Sequence, residues 1–531
     1  MARIRRPVDA LVRLPAPVTA LLLVGLLGLG AGTLVLARSL PDDGAAVPGH
    51  NQPVDRGAGD FRDLRANNSP SLARSPLDPA NLALANRVDK PRFSCALHVS
   101  ADGGRTWQPR EVPFPDGEEA PPRCYAPDVA FDSKGTLFVS FATLAGPGNV
   151  PNAVWLTTSA DQGRTLAVPR RVLGPLAFQT RLVADPVVPG RLHLSYVQAA
   201  SVGTLQFPTT GNPVTMVTSG DGGLTWAPPV TVSPPHRLRV VAPSPATGRA
   251  GRLYLAYLDL GDDVLDYHGA HEGRGGEPYP GRWSLVLARS TDGGATWDET
   301  VVDDAVVPTQ RFIVFLPPAP SVAVDAGTGR VYVAFHDGRL HDADVWLWTS
   351  GDEGRSFGAP TRVNDNRRGD GTAQYLPKVS VAPGGRLDVV YYDRRADRQN
   401  RLNATSFQYS SDGGSSFHPA VQVSDRTFDS RIGFGSERGL ADLGSRLALV
   451  SGPQGALAVW SDTRAGTPAS SKQDLGAAVI TVSVRSAWRS PLNAVGIAVV
   501  AAAAALAAVV VRTRLRRRSR APGDTPGGVD Q

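Results

Sequence analysis

Apolar positions along this chain fall into two regimes. Near the ends they form unbroken runs, Val18–Ala37 and Leu492–Val511, while between those runs they come in short stretches that alternate with polar residues or close on an aromatic. One such stretch recurs six times, as Gly135–Phe141 (GTLFVSF), Gly190–Tyr196 (GRLHLSY), Gly251–Tyr257 (GRLYLAY), Gly329–Phe335 (GRVYVAF), Gly385–Tyr391 (GRLDVVY) and Gly455–Trp460 (GALAVW). A shorter apolar run precedes it at Asp128–Phe131, Arg181–Ala184, Ser321–Val324, Lys378–Val381 and Arg446–Val450, often introduced by proline. A third, β-rich run follows at Val154–Thr158, Val214–Thr218, Ser284–Ala288 and Val345–Thr349. Runs of this length and periodicity are strand signals.

After the third run comes a polar box: Ser100–Trp107 (SADGGRTW), Ser159–Leu166 (SADQGRTL), Ser219–Trp226 (SGDGGLTW), Ser290–Trp297 (STDGGATW), Ser350–Phe357 (SGDEGRSF) and Ser410–Phe417 (SSDGGSSF). Its aspartates, Asp102, Asp161, Asp221, Asp292, Asp352 and Asp412, stand 59, 60, 71, 60 and 60 residues apart. A fixed period of this size marks repeated supersecondary units. The aspartate closes a turn by accepting backbone N–H groups, the Gly-Gly or Gln-Gly tolerates positive φ, and the terminal Trp, Phe or Leu plugs the hairpin.

Each unit therefore reads strand, strand, strand, box, strand, which is a propeller blade. The expectation is an all-β, seven-bladed propeller of four-stranded antiparallel blades over 66–486, with units at about 66–113, 120–173, 178–233, 238–305, 316–364, 373–423 and 435–486. Six blades with an irregular end unit is the alternative. The last unit shows three strands, so chain before Asn67 is expected to supply the fourth and close the ring, since an open ring exposes strand edges. By parity of a meander, the boxes lie on one face and the ends of the second strands on the other. The boxes are thus structural.

Either apolar run is long enough to span a bilayer as helix. Arg3, Arg5, Arg6 and Arg13 flank the first, and Arg512, Arg514, Arg516, Arg517, Arg518 and Arg520 follow the second. By the positive-inside rule, 1–17 and 512–531 are cytoplasmic, 18–37 (or a signal anchor) and 492–511 are transmembrane helices, and the propeller is outside, on a flexible spacer at 40–65. Those two basic ends hold more than the whole net charge of +6, leaving the middle near −1. Nucleic acid is therefore not an expected partner. Cys95 and Cys124 are the only cysteines; an extracytoplasmic pair favours a disulfide, with two buried thiols as the alternative.

On the face opposite the boxes, second strands end in acid–base doublets: Asp337-Gly-Arg339, Asp393-Arg-Arg395 and Asp462-Thr-Arg464, with Asp259 in the fourth unit and Arg87 and Asp89 in the first. Arginine forks hold carboxylates bidentately, so the doublets read either as ligand arginines around a charged funnel or as salt bridges that finish each blade. The fourth unit carries an insert, Leu260–Arg282, with Asp262, Asp263, Asp266, His268, His271, Glu272, Glu277 and Tyr279. His268, His271 and Glu272 suit metal ligation or proton transfer, and Asn364-Asp-Asn366 with Asp370 suits calcium, but a solvated loop is the simpler reading of each. No metal and no cofactor is expected.

The S-x-D-x-G-x-[TS]-[WFL] boxes are similar to the Asp-box, or bacterial neuraminidase repeat, and the span 66–486 resembles sialidase-like propellers of bacteria. Gln374-Tyr-Leu-Pro377, Val390-Tyr-Tyr-Asp-Arg-Arg395 and Ala458-Val-Trp-Ser-Asp-Thr-Arg464 carry the same likeness. The resemblance implies an exo-acting glycoside hydrolase on terminal acidic sugars, with a tyrosine nucleophile. On that reading Arg87, Arg339, Arg395 and Arg464 bind the sugar, Asp89 or Asp337 is the acid/base, and Tyr375 with Glu437 supplies the nucleophile and its partner. Where sialidases open their first blade with Arg-Ile-Pro this chain has Asn68-Ser69-Pro70, and where related propellers begin the last blade with Gly-Asp-Tyr it has Gly435-Ser-Glu437. The second expectation is a non-catalytic, monomeric propeller that binds a glycan or protein at the cell envelope.

Overall fold

The computed structural model describes residues 14–39, 45–55, 60, 62–115, 122–202, 210–264, 278–309, 318–433, 443–482 and 489–518. Two compact units emerge, Ala46–Val482 and the two chain ends together.

The larger unit is a ring of seven antiparallel sheets. Blade 1 runs Asn67–Arg74, Leu82–Val88, Ser94–Ser100, Gln108–Arg110; blade 2, Arg123–Phe131, Leu137–Ala145, Val150–Ser159, Arg170–Leu173. Blade 3 is Ala177–Ala184, Leu192–Gln198, Val214–Ser219, Val230–Thr231; blade 4, Val240–Thr247, Leu253–Asp259, Trp283–Ser290, Asp298–Val306. Blade 5 is Ser321–Val324, Val331–Leu340, Asp342–Ser350, Thr361–Arg362; blade 6, Gln374–Val381, Leu387–Asp393, Leu402–Ser410, Val421–Gln422. Blade 7 takes Ala448–Gly452, Gly455–Asp462 and Asp474–Val482 from the end of the chain, and its outer edge from the beginning. Ala46–Pro48 pairs with Ile480–Val482, and Gln52–Pro53 with Gly476–Ala477. Part of the stretch read as spacer is therefore the closing strand. Val54 enters the apolar core between blades 7 and 1, and Asp55 Oδ1 accepts a hydrogen bond from the Leu475 N–H (2.9 Å).

Second strands are buried almost throughout, Leu82–Val88 and Leu387–Asp393 at every position, because each blade packs a sheet on either side. The box fastens this packing. In the first box Ser100 Oγ donates to Asp102 Oδ1 (2.8 Å) and accepts from the Gly104 N–H (2.9 Å), while Thr106 gives both its N–H and its hydroxyl to Asp102 (2.9 and 2.6 Å). The same ties recur in the other five boxes. The fourth position varies among Gly, Gln162 and Glu353, and the last two keep a positive φ of 65° and 61°. The fifth is glycine every time for a steric reason. A Cβ on Gly104 would stand 2.6 Å from Leu457 of blade 7, and one on Gly223 would stand 2.2 Å from Leu156 of blade 2. Terminal plugs follow the same rule, Trp107 packing with Leu457 and Val459 of the neighbouring blade.

Hydroxyl and N–H donors of Thr225 and Ser219 hold Asp221 down at about 2, and those of Thr296 and Ser290 do the same for Asp292. A carboxylate depressed from 3.8 contributes stability that is complete above 3.8 and is lost as pH falls through the folded value. Stability is expected to fall first from near pH 6.5, where the unfolded chain protonates His98, His193 and His336 while burial keeps them neutral in the fold. The box contribution is expected to stay constant above pH ~5 and to vanish between about pH 4 and 2. Asp221→Asn with Asp292→Asn should flatten that lower fall in a melting series; an unchanged slope would refute the linkage.

Cys95 and Cys124 form a disulfide, joining the third strand of blade 1 to the first of blade 2. Of the insert, 265–277, with Asp266, His268, His271, Glu272 and Glu277, lies outside the described residues, as does Glu437. Among the described residues no group of three or more His, Cys, Asp or Glu is placed to hold a metal. Asn364 instead bonds Asp344, Asn366 and Gln374.

In the smaller unit, helix α1 (Ala16–Ser39) and helix α2 (Arg489–Arg518) lie antiparallel. Arg514 donates to the Leu14 carbonyl (2.9 Å) and Thr19 Oγ1 (2.8 Å), and Gly30 lies against Val500 and Gly496. Ala494–Arg516 is long and apolar enough to cross a membrane. Among the described side chains, the apolar stretch of α1, Pro17–Thr33, is shorter. Among the described residues one span, not the two expected, is long and apolar enough to cross.

Candidate functional site

Register places the doublets where the meander parity predicts. In blade 6 Leu387 pairs with Ser410, the first box residue, and Asp393 at the other end of the same strand pairs with Ala404. Boxes and doublets thus occupy opposite faces of the wheel.

At the end of the second strand of blades 1, 5, 6 and 7 the aspartate is buried and the arginine turns onto it. Asp337 is fully buried, and Arg339 binds it through Nη2 at 2.6 Å. The same guanidinium reaches Asp303 at 2.8 Å, on the outer strand of blade 4, and lies 5.1 Å over Trp346 and 5.4 Å over Trp348. Trp348 Nε1 donates to that Asp303 carboxylate as well (3.0 Å). Burial works against the charge on Arg339, yet the bonds it donates to Asp337 and Asp303 carry its basicity above the ordinary value.

The pattern repeats in blades 6 and 7. Arg395 binds Asp393 at 2.6 Å and Asp365, just after the outer strand of blade 5, at 2.5 Å, and its Nη2 donates to the Tyr391 hydroxyl (3.2 Å). Arg464 binds Asp462 at 2.5 Å and pairs with Asp425, just after the outer strand of blade 6. Three consecutive seams are therefore closed by one guanidinium between two carboxylates, one from each blade. In blade 4 the arginine comes from the inner side, Arg237 holding Asp259 (3.0 Å) and Glu299 (2.6 Å). In blade 1, Arg87 binds Asp89 at 2.7 Å and donates to the Tyr125 hydroxyl of blade 2 (3.1 Å), while Asn68 Nδ2 donates to Asp89 (2.8 Å).

The four arginines named from the sequence thus belong to separate seams in blades 1, 5, 6 and 7, and each meets carboxylates of its own chain. Tyr375 is 2% exposed. Its hydroxyl donates to Asn403 Oδ1 (2.8 Å) and accepts from Arg394 Nη2 (3.3 Å), and its ring packs against Tyr392 and His336. Burial pushes its phenol upward, which makes it a poorer nucleophile at neutral pH. Asp89 and Asp337 are likewise buried and paired. What sequence reasoning missed is the second acid of each seam, Asp303, Asp365 and Asp425. These lie on or beyond the outer strand of the preceding blade and share no local motif with the doublet.

Fold and seams together define a seven-bladed propeller whose doublet face is cross-braced by arginine. No protein-family model and no curated protein matches the chain. Solved structures similar to it include a protein of unknown function from Dyadobacter fermentans, 16% identical over 82% of this chain and 99% of that one, with a TM-score of 0.46. The phage phi92 endosialidase is 12% identical over 84% and 74%, with a TM-score of 0.46. An alpha-L-arabinofuranosidase from Fusarium graminearum is 14% identical over 68% and 98%, with a TM-score of 0.43.

Proposed function

We propose that this chain is a membrane-tethered recognition propeller that binds a glycan of the cell envelope on its doublet face and does not hydrolyse it. One observation carries the reading: the arginine forks that a hydrolase would turn toward an acidic sugar are bonded to Asp89, Asp337, Asp393 and Asp462 of the chain itself. A fork already held by carboxylates, two of them in three of the seams, has little left to offer an incoming one. The antiparallel contact of α1 with α2 supports a hairpin in the bilayer, with both basic ends cytoplasmic and the propeller outside. Pairing with α2 lets the shorter apolar run of α1 sit in the membrane.

The test uses the full chain in detergent. Fluorogenic sialosides and arabinofuranosides are expected to give no turnover, while an array of envelope and sialylated oligosaccharides shows saturable binding. Turnover abolished by Asp89→Asn or Asp337→Asn would overturn the reading and restore the hydrolase. On intact cells, added protease should remove the propeller and spare both termini; loss of either terminus would refute the topology.

A further inference from the structure

The axis of the wheel is a cavity of about 340 Å³ walled by the inner strand of every blade. Register shifts just before Ser71, Asp128, Arg181, Ser244 and Lys378 bring these residues to one level, opposite Ala85, Ser140, Ser195, Ala256 and Val390 of the second strands. Ser321, opposite Ala334, and Ala448, opposite Val459, complete the ring. Three hydroxyls, one acid, two cations and one methyl thus face a common axis.

The acid is spoken for. Asp128 accepts from Ser71 Oγ, from the Leu182 N–H at 2.9 Å and from the Val129 N–H at 3.3 Å, with Arg446 Nη2 3.9 Å away. Arg446 itself is anchored on the carbonyls of Ser69 (3.1 Å), Pro70 (3.2 Å) and Pro127. Arg181 and Lys378 are different, because among the described residues neither head group makes a hydrogen bond or an ion pair, although both line the cavity. Burial lowers the basicity of each, and Lys378 is held down to about 8 by burial and by Arg181, against the pull of Asp128. One carboxylate, Asp128, thus serves Arg181, Lys378 and Arg446 together, and a surplus of positive charge inside a protein is costly unless a further counter-charge arrives.

We propose that this ring binds a small tetrahedral oxyanion, phosphate or sulfate, free or carried on a sugar. Two cations meet the two charges of such an ion. Blades 3 and 6 stand across the axis from one another, so Arg181 and Lys378 address different oxygens of a tetrahedron and leave others for the serines, which a carboxylate with its two oxygens does not. Ser244 and Ser321 add hydroxyl donors, Ser321 Oγ already accepting from the Val379 N–H (3.0 Å) and so turning its proton elsewhere. The site lies on the axis, apart from the seams, and does not depend on the recognition reading above.

Titration calorimetry of the full chain in non-ionic detergent, in buffer free of phosphate and sulfate, tests it with inorganic phosphate, sulfate and glucose 6-phosphate. Wild type is expected to bind at least one of the three and to melt higher in its presence. Arg181→Met and Lys378→Met should each weaken binding at least about tenfold, while Lys378→Arg and the exposed Arg105→Met bind as wild type does. Without ligand the Met variants should melt no lower than wild type, which separates lost binding from lost folding. Tighter binding of the ester marks a phosphorylated sugar as the ligand, and tighter binding of the free ions marks the ion alone; either supports the site. No heat and no melting shift up to about 10 mM, or Met variants that bind like wild type, would overturn it.

Discussion

Replacing Ala46–Asp55 by a Gly-Ser stretch of equal length is expected to open the ring. That segment provides the outer strand of blade 7, puts Val54 into the core beside Leu475 and Ala477, and adds hydrogen bonds at Gly49 to the Val479 carbonyl (2.8 Å), Val54 to the Leu475 carbonyl (3.0 Å) and Asn51 to the Val423 carbonyl (2.8 Å). Five or more such bonds at about 1 kcal/mol each, with the Val54 side chain at roughly 1.5–3 kcal/mol, come to more than ~5 kcal/mol. A loss of that size is a large share of the ~5–15 kcal/mol that holds a typical domain together. The freed edge of Asp474–Val482 is also a template for another chain. Circular dichroism melts in detergent should fall by about 5–10 °C or more, and size-exclusion profiles should shift to concentration-dependent oligomers. A synthetic peptide of residues 45–55 should restore both. A replaced chain that melts and elutes like the parent would show that closure lies elsewhere.

The second large effect is expected from Arg339→Met. Methionine keeps the stacking volume over Trp346 and Trp348 but leaves Asp337, with a fully buried side chain, and Asp303 without their counter-charge. Breaking a buried pair from one side costs about 3–5 kcal/mol. Adding Asp337→Asn and Asp303→Asn should return most of it, because the amides need no cation. Melting curves of the single and triple variants check this. Lost glycan binding with an unchanged melting temperature would instead make Arg339 a ligand residue and sink the brace. Arg395 and Arg464, in the same arrangement, should follow Arg339.

How far the sequence reached depends on the range of each interaction. The box is closed by atoms within five residues, so Ser100 to Thr106 reads as a turn from the residue types alone, and the 60-residue period extends that turn to whole blades. Closure by chain preceding Asn67 followed from a missing strand. Yet Pro48 and Pro53, among polar and glycine neighbours, look like linker, because an outer strand needs few apolar side chains. The doublets were visible, and an Asp–Arg pair suits a ligand fork and a brace equally well. What decided between them was Asp303 for Arg339, Asp365 for Arg395 and Asp425 for Arg464, partners 36, 30 and 39 residues away with no spacing rule to reveal them. Tyr375 misled for a related reason. It stands just outside a register shift of its inner strand, and nothing local says whether such a residue turns to the axis or into the seam. Lys378, three residues on, turns to the axis.

Ala46 and Val482, the first and last residues of the wheel, are paired directly across one strand ladder. The polypeptide therefore arrives at the propeller and departs from it at a single spot on its rim. A protease that cuts once, in either connector, leaves the wheel covalently attached through the other helix. A nick in any loop between blades yields two fragments that each keep one helix and stay clasped by the shared sheet. On the proposed hairpin in the bilayer, shedding into the medium demands two separate cleavages, and release should grow with the square of protease exposure at early times rather than in proportion to it.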